Sequence, residues 1–94
     1  MDQIINDIIK FRNNRNWQLN DKPDNLAKSI IIEAAELLEN FQWGSVPANI
    51  ENVKEEIADV LIYCIALAHD LNFNVEKIIY DKLDKNAIKY PIKK

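Results

Sequence analysis

Asn25-Leu-Ala-Lys-Ser-Ile-Ile-Ile-Glu-Ala-Ala-Glu-Leu-Leu-Glu-Asn-Phe41 is the stretch on which the fold turns. At 100° per residue, Ser29, Glu33, Glu36 and Asn40 fall within a stripe about 60° wide. Most of the remaining circumference is apolar: Ile30, Ile31, Ile32, Ala34, Ala35, Leu37, Leu38 and Phe41. A helix lying on a protein surface shows a broad polar face. A narrow acidic stripe on an otherwise apolar helix predicts carboxylates that point into an enclosed polar cleft.

A second segment, from Asn49 or Ile50 to Leu71, repeats the pattern. Asn52, Glu56, Asp59, Tyr63 and Asp70 share one stripe, while Val60 to Ala68 is apolar all round apart from the Tyr63 hydroxyl. Such a run is expected to be buried on every side. Each helix therefore presents two carboxylates at i, i+3 spacing, which makes them neighbours on one face. If the two helices pack antiparallel across their short connection, the pairs converge. Two like charges about 4 Å apart repel by roughly 4 kcal/mol at an effective dielectric of 20. Either protons are taken up or a cation sits among them. Oxygen donors without His or Cys suit Mg²⁺. Any one Glu on a helix is more often a solvated surface residue; two matched stripes change that balance.

Working outward, the breakers are Gly44, Pro23, Pro47 and Pro91. Ile4, Ile5, Ile8, Ile9 and Phe11 make Gln3–Arg15 an amphipathic helix. A polar loop carrying Trp17 follows, with Asp24 as the expected N-cap of the acidic helix. A loop from Gln42 to Ala48 holds Trp43. Asn72 is expected to cap the third helix, and Val75–Lys89 forms a fourth, with Asn74 as its N-cap. Strand alternation, hairpin signals and repeats are absent. The expected fold is an all-α, four-helix bundle-like single domain over residues 1–94. Hydrophobic residues make up 48% of the 94, more than so small a domain can bury by itself. This predicts self-association, as a homodimer or dimer of dimers.

A formal net charge of -3 gives no general attraction to nucleic acid polymers. Cys64 is the single cysteine, so no disulfide can form within the chain, which fits a reducing compartment. No basic stretch precedes a long apolar one at the N-terminus, and no apolar run is long enough to span a bilayer. The expectation is a cytoplasmic protein without membrane partners. On the fourth helix, Lys82, Lys85, Asn86, Lys89 and Tyr90 share a face. That face fits either phosphate binding or a solvated helix end complementing the dipole. Trp17 and Trp43, both in loops, suit either stacking on a flat ligand or lids over the core.

Glu33-Ala-Ala-Glu36 followed by Glu56-Ile-Ala-Asp59 resembles the ExxE…ExxD signature of MazG-like, all-α nucleotide pyrophosphohydrolases. Arg15-Asn-Trp17-Gln, Pro23-Asp-Asn-Leu26, Phe41-Gln-Trp43, Asp59-Val-Leu-Ile-Tyr63 and the series Lys82, Asn86, Lys89, Tyr90, Pro91 extend the likeness across the stretch from Trp17 to Pro91. It looks like the small single-domain branch that includes dCTP pyrophosphatases. The resemblance implies hydrolysis of a nucleoside triphosphate to a monophosphate and pyrophosphate. It also implies Mg²⁺ on Glu33, Glu36, Glu56 and Asp59, with Glu33 or Glu36 handling the attacking water. Lys82, Asn86, Lys89 and Tyr90 would hold phosphates, and Trp17, Trp43 and Tyr63 would meet the nucleoside, Trp43 being the preferred base platform. One position departs from the pattern. Relatives often carry His four residues after the loop Trp, where this chain has Asp21, a group that accepts from a base amino group and cannot donate to phosphate. The nucleobase therefore stays open, with dCTP-like substrates first and dUTP or general NTPs as alternatives. A non-catalytic helical dimerisation module is the competing reading outside enzymes. A di-iron carboxylate bundle ranks last, because its Glu-x-x-His pairs are missing.

Overall fold

The computed structural model describes residues 1–93. Helices α1 (Asp2–Asn14), α2 (Pro23–Glu39), α3 (Ile50–Asp70) and α4 (Val75–Lys89) follow in order, with a 3₁₀ turn at Trp17–Leu19 between α1 and α2. Two terminators are left-handed asparagines, Asn16 (φ 57°) after α1 and Asn72 (φ 62°) after α3, the latter as expected of an αL stop. Asn49 and Asn74 cap α3 and α4 by accepting from the amides of Asn52 and Lys77. The start of α2 differs from the sequence expectation. Lys22 is its N-cap and Pro23 opens the helix, which places Asp24 in the first turn. Proline's fixed φ and missing N–H suit that first position, and the acid still complements the positive helix end.

The α2–α3 pair is the main packing unit. Asn40 meets Asn52, while Glu33 meets Glu56 and Asp59. Stepping back along α2 thus means stepping forward along α3, so the pair is antiparallel. Asn40 organises the connection. Its side-chain amide donates to Asn52 at 2.8 Å, its carboxamide oxygen accepts from the Asn49 amide at 3.2 Å, and its carbonyl accepts from Ala48 at 2.8 Å. Between them, Gly44 takes φ 140°, a conformation that side chains with a Cβ avoid.

Helix α1 lies on α3 and on the Trp17 turn, whereas α4 lies on α3 and meets the N-terminal part of the chain at its own first turn, through Val75 and Glu76. Ile5 and Ile8 pack against Ile65, Ala68 and Val75. The four helices thus do not close into a bundle within one chain. The Cα radius of gyration is 15.9 Å, against about 12 Å for a compact domain of this length. The accessible surface is 7633 Å², roughly a third more than a folded monomer of this mass exposes.

This openness overturns the expectation that Val60–Ala68 is buried on all sides. Ile65, Ala66 and Ala68 are buried, but Leu61 is 54% exposed and Cys64 is also exposed. One chain supplies too few helices to surround α3. On α2, Ile31 and Leu38 are 69% and 68% exposed.

Candidate functional site

The facing stripes of α2 and α3 bring Glu33, Glu56 and Asp59 together, with one carboxylate oxygen from each lying within 4.8 Å of the others. Glu56 is buried, and Glu33 and Asp59 are half-buried. Oxygens Glu33 Oε2 and Glu56 Oε2 are buried without a hydrogen-bond partner. Unsatisfied buried carboxylate oxygens cost free energy. The Glu33 carboxyl is pushed up to about 7, first by the adjoining Glu56 carboxyl, then by burial and by Glu36. It holds a proton where an ordinary Glu is ionised. Crowded oxygens, two of them orphaned, with no nitrogen or sulfur among the donors, fit a hard divalent cation. Glu36, one turn after Glu33, is exposed. It acts on Glu33 but stands outside the three-oxygen cluster.

Beside the cluster opens a cavity of about 470 Å³, within the range of small-ligand sites. Its wall from α3 is Asp59, Ile62, Tyr63 and Ala66, and Trp17 and Asp21 close it from the α1–α2 connection. Asp59 thus belongs both to the carboxylate cluster and to the cavity. Burial, together with the charges of Glu33, Asp59 and Asp21, raises the Tyr63 pKa. The phenol stays protonated and can donate a hydrogen bond.

The remaining wall comes from α1: Asp7, Ile8, Phe11 and Arg12. None of these was picked out from the sequence as a site residue. A signal was available for Arg12, which projects between Ile5 and Ile8 on the helical wheel, inside the apolar face. It is 7% exposed and donates through both terminal nitrogens to Asp70, at 2.7 and 2.8 Å. That Arg12 hydrogen bond also holds the Asp70 carboxyl below its usual range.

Other expected site residues fall elsewhere. Trp43, the preferred base platform, is 91% exposed and is not part of the cavity wall, whereas Trp17 is. The α2–α3 connection carries Trp43 out beyond the helix pair, while the 3₁₀ turn lays Trp17 against Phe11, ring centroids 5.7 Å apart and edge to face. Lys82, Lys89 and Tyr90 are exposed and Asn86 is half-buried. Within one chain they are not part of the cavity wall.

Residues 28–94 match the MazG-like family. The chain belongs to that family. The chain is 33% identical over 92 residues to dCTP pyrophosphatase 1 of Rattus norvegicus, with 88% of this chain and 54% of that protein covered. It is also 33% identical over 91 residues to dCTP pyrophosphatase 1 of Homo sapiens, with 87% and 54% covered. It therefore spans about half the length of these curated relatives. Among solved structures it resembles a pyrophosphatase from Archaeoglobus fulgidus with a TM-score of 0.85 and 40% identity, covering 98% of this chain and 93% of that one. Among the described residues, no helix is long and apolar enough to cross a membrane.

Proposed function

We propose that this MazG-like protein hydrolyses a nucleoside triphosphate between its α- and β-phosphates, releasing a monophosphate and pyrophosphate. The observation that carries the reading is the triad of Glu33, Glu56 and Asp59 oxygens within 4.8 Å, sharing Asp59 with a cavity large enough for a nucleoside. Family membership and the likeness to pyrophosphatases support it.

Glu33, Glu56 and Asp59 would hold Mg²⁺, with Glu36 contributing from the rim. Bound there, the ion would neutralise phosphate charge and favour ionisation of a water. The chain's own groups do the rest. A Glu33 oxygen left free by the metal would accept a proton from the attacking water. The Tyr63 hydroxyl donates to the sugar or to a phosphate oxygen. Trp17 offers its face to the base.

Asp21, in the same wall, accepts from an exocyclic amino group and disfavours a carbonyl at that place. On this reading dCTP-like substrates come ahead of dUTP. Lys82, Asn86, Lys89 and Tyr90 complete the phosphate site from a second copy of the chain, in a homodimer or dimer of dimers. The surplus surface and the exposed Ile31 and Leu38 support that assembly. The protein is assigned to the cytoplasm.

The deciding experiment is pyrophosphate release from each dNTP and NTP, with Mg²⁺ and with EDTA. Metal-dependent turnover, fastest on an amino-bearing pyrimidine, is expected. No release from any nucleotide would leave the non-catalytic helical dimerisation module as the reading.

A further inference from the structure

We infer that the Arg12–Asp70 ion pair is a positioning device for the nucleoside cavity, setting the α1 wall and Trp17 against α3. The inference rests on the proposed nucleotide reading only for its kinetic readout.

Helix α1 touches α3 and the Trp17 turn but not α2. Whatever fixes α1 on α3 therefore fixes one side of the cavity. Ile5 and Ile8 supply apolar contact near the middle of α1, but such packing tolerates sliding and rotation. The Met1–Glu76 pair at the other end is exposed and exerts little constraint. Among the described residues, Arg12 alone adds a directional clamp between α1 and α3. Its fork binds both Asp70 oxygens, at 2.7 and 2.8 Å, and a two-point contact fixes orientation as well as distance. Arg12 is itself cavity wall. The next residue back, Phe11, carries Trp17 on its edge. The Arg15 guanidinium caps the Phe11 ring at 3.4 Å and donates to the Phe11 carbonyl at 3.0 Å. The order of dependence is thus Asp70, Arg12, Phe11, Trp17. The carboxylate cluster lies on α2 and α3 and does not depend on α1.

Two variants test this. Arg12→Lys keeps the charge but loses the fork; the exchange Arg12→Asp with Asp70→Arg rebuilds an ion pair with its ends reversed. For Arg12→Lys, KM for the preferred nucleotide is expected to rise about tenfold or more, with kcat within about threefold and Mg²⁺ affinity by calorimetry unchanged. The exchange should recover at least part of KM relative to Arg12→Asp alone. Independently of turnover, Trp17 emission, read in a Trp43→Phe background, should shift to the red in Arg12→Lys as the indole leaves Phe11. An unchanged KM and emission in Arg12→Lys overturns the inference. So does a loss of Mg²⁺ affinity in parallel with kcat, which would mark a general loss of structure. If the parent protein turns over no nucleotide, the functional proposal fails, while the emission shift still decides the role of the pair.

Discussion

The Asn40 side chain donates to Asn52 Oδ1 at 2.8 Å and ties the two acidic stripes together at the turn end of the α2–α3 pair. Asn40 is 7% exposed, and its carboxamide oxygen also accepts from the Asn49 amide. Truncation leaves the Asn49 amide and the Asn52 oxygen without this partner. Asn40→Ala is expected to cost about 1–3 kcal/mol, lowering the melting temperature by several degrees. Adding Asn52→Ala should cost less than the sum of the single changes, since the pair is already broken. Additive losses in thermal melts would show that the bond does not couple the helices.

The cluster distinguishes its acids. Glu56→Gln removes a buried member of the triad and should reduce turnover by more than about 100-fold, exceeding the losses usual for outer-shell changes at a metal site. Glu36→Gln removes an exposed acid outside the triad and should mainly raise the Mg²⁺ concentration needed for half-maximal rate. Mg²⁺ titrations of both variants check this. Equal losses at every Mg²⁺ concentration would put Glu36 on the same footing as Glu56.

Proton binding at Glu33 predicts a pH effect on stability. Its carboxyl is raised to about 7 in the folded chain, above the ordinary value near 4.3. The folded state binds this proton more tightly, so its stabilising contribution is complete below the unfolded pKa. It is lost as pH rises through about 7. In EDTA the melting temperature should therefore fall between pH 5 and pH 8. Mg²⁺ replaces the proton as the neutralising charge, and its addition should restore stability most at the upper end. A stabilisation by Mg²⁺ that is equal at pH 5 and pH 8 would contradict this.

The two tryptophans should report differently on nucleotide. Trp17 faces the cavity, whereas Trp43 stands on the outer turn. In single-tryptophan variants at low protein concentration, binding of a non-hydrolysable nucleotide should quench Trp17. Trp43 should respond instead to protein concentration, as copies associate. Quenching confined to Trp43 would return the base to the outer turn.

Much of this was legible in the residues. The acids of α2 and α3 stand out because helical spacing stacks them on stripes only about 60° wide, and Asn72 and Asn74 signal helix ends through their capping chemistry. The α1 wall was not legible as a site. Asp7, Ile8 and Phe11 become neighbours of Tyr63 only through packing across α3, and no spacing within α1 encodes that. Arg12 carries a local clue, a cation inside an apolar face, but its partner Asp70 lies 58 residues away. The exposure of α3 escaped for the opposite reason. Periodicity tells which residues avoid water, not which chain covers them.

Leu26 is 1% exposed, the one large side chain among the described residues that a single chain seals completely. If copies associate as proposed, a protein with so little interior of its own leans on its neighbours to stay folded, and its native population is then governed by mass action. Its melting temperature should climb with protein concentration, and dilution alone should hand it to proteases. The cell's expression level would then set how long each molecule lives.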